Sequence, residues 1–177
     1  TNAPSTEEYK QTRVMFHRLN TAPENDRLIA AYGHSPALSI LDTDFPSIWL
    51  SPISSHAVLK VKHGDNNEIS LFTAPRAELL SGDISWSQLC GESDEVTDFA
   101  VLGDTIYLVT ARQAPRFKLV AMSLNDPNFA SARDIVPAGE LVIESVSVAA
   151  DALYISAKRD GIGMVMRWAP DVGLEEL

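Results

Sequence analysis

Four histidines, one cysteine and two Gly-x-Ser stretches are the residues of this 177-residue chain best suited to chemistry. A nucleophilic serine on a hydrolase sheet needs a Gly-x-Ser-x-Gly elbow, a sharp turn that exposes the Oγ. Gly91-Glu92-Ser93-Asp94-Glu95 carries only the first half of that pattern, and two acids follow the serine. Gly33-His34-Ser35-Pro36-Ala37 fails in the same way. Both read as turns. Cys90 is the lone cysteine, which excludes an internal disulfide and a cysteine-built zinc cluster. It reads as a small buried hydrophobe. His17, His34, His56 and His63 form neither His-x-His nor His-Glu-x-x-His, so no metal site is indicated. No catalytic residue, metal or cofactor is therefore expected within these residues.

The elements that must position any site are short. Residues 1–12 are polar and aperiodic and read as a solvated arm or linker. From Val14 onward, runs of β-branched and aromatic residues alternate with Gly, Pro, Asn and Asp. About thirteen such runs end with Met164 to Trp168. No long stretch shows a 3.6-residue apolar period; Ala74 to Leu80 is the best helical candidate, and it is short and contains Pro75. Composition agrees with a packed domain, since 45% of residues are hydrophobic. The formal net charge of −10 repels phosphate backbones and anionic lipid headgroups, so neither nucleic acid nor a membrane surface is an expected partner. No apolar run approaches the roughly 20 residues that span a bilayer. No apolar leader opens the chain, and a single cysteine fits the cytoplasm or the periplasm equally.

An internal repeat selects among all-β architectures. Phe72, Val120 and Trp168 are spaced by 48 and 48 residues. Tyr107 and Tyr154 lie 47 apart, and Trp86 and Asp134 lie 48 apart. A unit of that length with four strands matches a propeller blade. One twisted sheet cannot bury both faces alone and so stacks on its neighbours. The expected fold is a partial all-β propeller with antiparallel four-stranded blades of about 48 residues. Its segment spans 13–170, with two complete blades at 45–90 and 95–137. Partial ones lie at 13–33 and 141–168, and 171–177 is a tail. Because closed propellers hold four to eight blades, the chain is expected to be a segment of a larger one. Its uncovered strand edges are expected to promote self-association.

Several motifs occur in order along this frame. His17-Arg18-Leu19-Asn20-Thr21 precedes Glu24-Asn25-Asp26-Arg27-Leu28. Trp86 precedes Asp94-Glu95-Val96. Tyr107-Leu108-Val109-Thr110 leads into Ala114-Pro115-Arg116-Phe117-Lys118-Leu119, and Val136-Pro137, Glu144 and Asp160-Gly161 follow. Together they resemble the β-propeller domain of the prolyl oligopeptidase family of serine peptidases. Asn20 stands where that family usually has Gly, and Asn also tolerates positive φ. The resemblance implies a propeller that does no chemistry itself. It would cap an α/β-hydrolase domain of the same parent chain, and gate and size-select short proline-containing peptides through its central tunnel. It also implies that the turns between second and third strands of each blade face that domain or the peptide. Here these are Lys62-His63-Gly64-Asp65, Arg112-Gln113-Ala114-Pro115 and Lys158-Arg159-Asp160-Gly161. Each begins with a basic residue in an acidic chain. His63, Arg112 and Arg159 are the candidates for facing substrate or partner domain, and Arg112 is the best placed, inside the matching hairpin. Strand-ending cations that discourage edge pairing are the plainer explanation. The rival from another class is a stand-alone propeller-type interaction module, but the WD and kelch signatures are absent. A metabolite-binding propeller has no specific support.

Overall fold

Apolar side chains that alternate between two buried faces build most of this molecule, seen in a computed structural model that describes residues 7–177. Fourteen strands form four antiparallel sheets in chain order among the described residues. The first sheet pairs β1 (Arg13–Phe16) with β2 (Arg27–Ala31). The second holds β3 (Asp44–Leu50), β4 (His56–His63), β5 (Ile69–Pro75) and β6 (Ser87–Cys90). The third holds β7 (Val96–Leu102), β8 (Thr105–Thr110), β9 (Lys118–Ser123) and β10 (Arg133–Val136). The fourth holds β11 (Val142–Val148), β12 (Leu153–Arg159), β13 (Ile162–Ala169) and β14 (Gly173–Glu176). Each is an up-and-down meander, so the fold is a partial β-propeller.

The period-48 residues fall on equivalent strands. Phe72, Val120 and Trp168 sit on the third strand of their sheets and all are buried. Tyr107 and Tyr154 sit on second strands. In β4, Leu59 and Val61 face the first sheet while Val58 packs against the third. In β8, Ile106 and Leu108 face the second sheet while Tyr107 and Val109 face the fourth. Both faces of these strands are buried, which is why they read as continuous apolar runs. Each fully buried Leu or Ile contributes about 1.5–3 kcal/mol to stacking the sheets.

The fourth sheet departs from this pattern on one side. Leu153, Ile155 and Trp168 pack against the third sheet, but the opposite face carries Ser147, Tyr154, Ser156 and Arg167. Arg167 pairs with Asp151 (3.2 Å) and Glu175 (3.1 Å), and Lys158 pairs with Glu144. The Arg167 guanidinium holds the Asp151 carboxyl below its ordinary range. Pairs at such a solvated face stabilise little individually. They do let this face meet water.

One expectation needs correction, and two others gain detail. Residues 171–177 do not form a tail: Gly173–Glu176 is β14, so the fourth sheet is a complete four-stranded unit rather than a partial one. Ladder bonds to β13 and the Arg167–Glu175 pair hold it there. In the 74–80 stretch, Ala74 and Pro75 end β5, and a single helical turn, Glu78–Ser81, follows, which Gly82 ends at φ 104°. The polar arm is tied down at its end, since the Gln11 N–H donates to the Asp42 carbonyl (2.7 Å) and the Thr12 hydroxyl to the Asp44 carbonyl (2.7 Å). Residues 1–6 of that arm lie outside the described residues. Asn20 adopts φ 66°, the left-handed conformation that its place in the turn requires.

Carboxylates staple neighbouring sheets. Asp98 of β7 accepts the Val146 N–H of β11 at 2.9 Å. Asp104, in the β7–β8 turn, accepts from the Ser54 hydroxyl (2.9 Å), the Ser55 N–H (2.8 Å) and the Ser55 hydroxyl (2.8 Å) of the second sheet. The two Ser55 bonds, then Ser54, hold its carboxyl well below the usual carboxylate range. A folded-state pKa below the unfolded one stabilises the fold above about pH 4 and is lost progressively as pH falls below that. Asp104→Asn should therefore lower the thermal midpoint at pH 7, and the gap from the parent chain should narrow from pH 5 toward pH 2. A pH-independent gap in calorimetry would remove this account of the staple.

Candidate functional site

The turn between β8 and β9 is the most elaborate of the three basic turns. Thr110 is fully buried; its hydroxyl donates to the Asp94 carbonyl (2.6 Å) and accepts the Arg112 N–H (3.0 Å). Two turns then follow in succession, with Ala114 N–H bonded to the Ala111 carbonyl (2.8 Å) and Phe117 N–H to the Ala114 carbonyl (2.7 Å). Gln113 (φ 56°) and Phe117 (φ 65°) adopt left-handed conformations. An aromatic residue there is strained, at roughly 1–3 kcal/mol, and strain of this kind gathers at functional loops.

The strained turn fixes Arg112. Its Nη1 pairs with Asp94 Oδ1 at 2.5 Å, and its guanidinium lies 5.6 Å from the centre of the Phe129 ring. Asp94 is itself anchored, because its Oδ2 accepts the Gly91 N–H at 3.0 Å. The Gly91–Glu95 stretch, which reads as a turn, thus includes the residue that holds Arg112. Arg112 remains about half exposed, with 47% of its side-chain surface open. Beside it is a cavity of about 240 Å³ lined also by Gln113, Lys118 and Phe129. Lys118 pairs with Asp134 at 3.2 Å. Two cations and an aromatic ring therefore flank one small hollow, an arrangement suited to a carboxylate with an apolar neighbour. The sequence reading missed Lys118 and Phe129; Phe129 reaches Arg112 from the β9–β10 connection, and no local spacing signals that.

The other two candidates are placed differently. His63 is not available to a partner. It is 8% exposed, its Nδ1 lies 3.0 Å from Asp44 Oδ2 and its Nε2 lies 2.8 Å from Ser70 Oγ. Alternation along β4 turns His63 to the same side as Leu59 and Val61, which is inward. Arg159 is half exposed and pairs with Glu176 of β14 at 3.1 Å, so it fastens the strand that the sequence reading took for a tail. The structure does not bring the three candidates together.

Asp44, His63 and Ser70 stand in the order carboxylate, imidazole, hydroxyl, the order of a serine-hydrolase triad. That chemistry needs a serine Oγ open to a substrate carbonyl. Ser70 is 5% exposed within the paired strand β5, and Asp44 is 1% exposed. The trio is a buried brace between β3, β4 and β5. Cys90 is also inert: burial pushes its thiol up to about 12, far from the thiolate that reacts. Among the described residues, no three His, Cys, Asp or Glu side chains gather as metal ligands.

A second feature concerns the first strands of successive sheets. Residues of β3, β7 and β11 converge on a cavity of about 440 Å³. Its wall includes Trp49, Leu50, Phe99, Val101 and Val148. Trp49 is 56% exposed and meets Phe99 edge-on, with ring centres 5.8 Å apart. Asp98, Ser51 and Ser147 also line the cavity, so bulky aromatic and aliphatic side chains share the opening with polar groups.

Comparison with known proteins follows the same lines. The model of the prolyl oligopeptidase N-terminal β-propeller domain matches residues 1–171. No curated sequence matches the chain. Among solved structures, one from a mechanistic study of two prolyl endopeptidases and their inter-domain dynamics is similar over the whole chain, with a TM-score of 0.76 and 20% identity. Prolyl oligopeptidase B from Galerina marginata, bound to a 25mer macrocyclization substrate, is similar over the whole chain at 0.77 and 17%. The same enzyme bound to a 35mer hydrolysis and macrocyclization substrate is similar over 96% of the chain at 0.72 and 17%. The chain spans about a quarter of their length, 25%, 24% and 24% respectively.

Proposed function

The chain belongs to the family of prolyl oligopeptidase N-terminal β-propeller domains, and on that premise we propose that it gates and size-selects short proline-containing peptides for a hydrolase domain that holds the catalytic residues. The observation that carries the proposal is the convergence of β3, β7 and β11 on one opening flanked by Trp49 and Phe99. A channel along first strands admits an extended chain a few ångströms wide and turns away a folded domain. The Arg112 turn supplies the second part. Its exposed guanidinium and the adjacent Lys118 can meet a peptide carboxylate or an acidic group of the hydrolase domain. Proposed partners are that domain and short peptides, with self-association through the uncovered edge of β1 in the isolated chain.

Arg112→Ala in the full peptidase tests the turn. An exposed charge contact is worth up to about 1 kcal/mol, so KM for peptides with a free C-terminus should rise about fivefold. The kcat should stay close to its original value, since the lost contact is the same in ground and transition states. Unchanged kcat/KM would remove Arg112 from the account.

A further inference from the structure

The opening shared by β3, β7 and β11 carries a single charged side chain among the described residues. Asp98 lines it beside Trp49, Leu50, Phe99 and Val148, and no Lys, Arg or His stands on the same wall. The carboxylate is fixed in place, because its Oδ2 accepts the Val146 N–H at 2.9 Å. That bond holds it between the first strands of the third and fourth sheets. Its Oδ1 is left uncommitted, and the ion pairs of the described residues do not include Asp98. The side chain is partly exposed, so a solute in the opening can reach it.

A carboxylate without a counter-ion, set in a concave wall with apolar neighbours, focuses its field into the hollow and raises the local concentration of cations. The chain as a whole adds the same sign, with a formal net charge of −10. A lysine or arginine brings a charged head for the carboxylate and an aliphatic stem for the apolar wall. Trp49, 56% exposed, adds an aromatic surface to which cations are attracted. A glutamate brings like charge to Asp98 and gives up water without a partner in return.

We propose that the opening sorts peptides by charge as well as by width, favouring those that carry lysine or arginine over acidic ones, and that Asp98 is the residue that does so. The inference rests on the gating reading and adds a substrate class to it. Asp98 acts on peptides in passage and takes no part in bond cleavage.

The test uses the full peptidase at low salt and two fluorogenic peptides of equal length. They share one sequence around the proline and differ only at the residue farthest from it, Lys in one and Glu in the other. An exposed charge contact is worth up to about 1 kcal/mol, so kcat/KM for the Lys peptide should exceed that for the Glu peptide about fivefold. Asp98→Asn keeps an acceptor for the Val146 N–H but removes the charge, and should bring the ratio close to one. Asp98→Glu should keep the preference for Lys. Ser147→Lys sets a cation on the same wall without touching Asp98 and should also lower the ratio, which covers the case where Asp98→Asn fails to fold. A Glu peptide cleaved as well as the Lys peptide would overturn the proposal. So would a ratio that a folded Asp98→Asn leaves unchanged, or, where that variant does not fold, one that Ser147→Lys leaves unchanged. If Trp49→Ala shifts the preference between long and short peptides while the charge ratio stays fixed, the passage is real but blind to charge, and this inference falls alone. If neither moves, peptides do not pass here, and it falls together with the gating reading.

Discussion

His63→Ala should destabilise the chain by about 3 kcal/mol, because it leaves a buried carboxylate and a buried hydroxyl without their shared partner. Asp44 faces His63 directly across the β3–β4 ladder and is 1% exposed. Without the imidazole its side chain keeps the Leu41 N–H at 2.8 Å. Ser70 loses the ring nitrogen at 2.8 Å. For a chain of this size the loss corresponds to a fall of about 6–12 °C in thermal midpoint. Ser70→Ala removes only a neutral bond and should cost about 1 kcal/mol. Asp44→Ala combined with His63→Ala should cost less than the sum of the two single changes, since the double change removes both ends of the Asp44–His63 contact together. A His63→Ala variant within about 1 kcal/mol of the parent in urea unfolding would show that the trio braces nothing.

Trp49→Ala in the full peptidase should change which peptides are cleaved rather than how fast a short one is. Trp49 lines the opening shared by β3, β7 and β11, half exposed and edge-on to Phe99. Removing the indole widens the passage and uncovers the edge of Phe99, a buried core residue. The ratio of kcat/KM for a long proline-containing peptide to that for a short one should rise several-fold, and Val148→Ala should push it the same way. Exposed aromatic residues contribute little to stability, so the melting curve should stay nearly unchanged. An unchanged ratio in both variants would mean that the opening does not select by size.

Much of the fold was legible because the propeller imposes one rule on three consecutive sheets. Strands buried on both faces, such as β4, β5, β8 and β9, appear as unbroken apolar runs, and their equivalent residues recur every 48 positions. The rule fails where burial ends. β14 consists of Gly173-Leu174-Glu175-Glu176, a segment with poor strand propensity that depends on its ladder to β13 and on Arg167 and Arg159. Nothing within four such residues signals a strand. The candidate site was half legible. A basic residue opening each turn is a local pattern, and Arg112 is indeed exposed. Whether such a residue faces out depends on strand parity, and His63 falls on the inward side, two residues beyond Val61. That parity was available in the sequence. The contacts of Asp94 and Phe129 with Arg112 join segments 17 or more residues apart and arise only from packing.

The central claim is that these residues select peptides and do not cut them. It is tested most directly by incubating the purified 177-residue chain with a proline-containing chromogenic peptide and, in parallel, with a serine-reactive phosphonate. The account predicts no turnover and no labelled serine, because Ser70 is sealed within β5 and no Gly-x-Ser-x-Gly elbow exists. Turnover that disappears in Ser70→Ala, with phosphonate on Ser70, would show that the Asp44–His63–Ser70 trio is a working hydrolase centre and would contradict it.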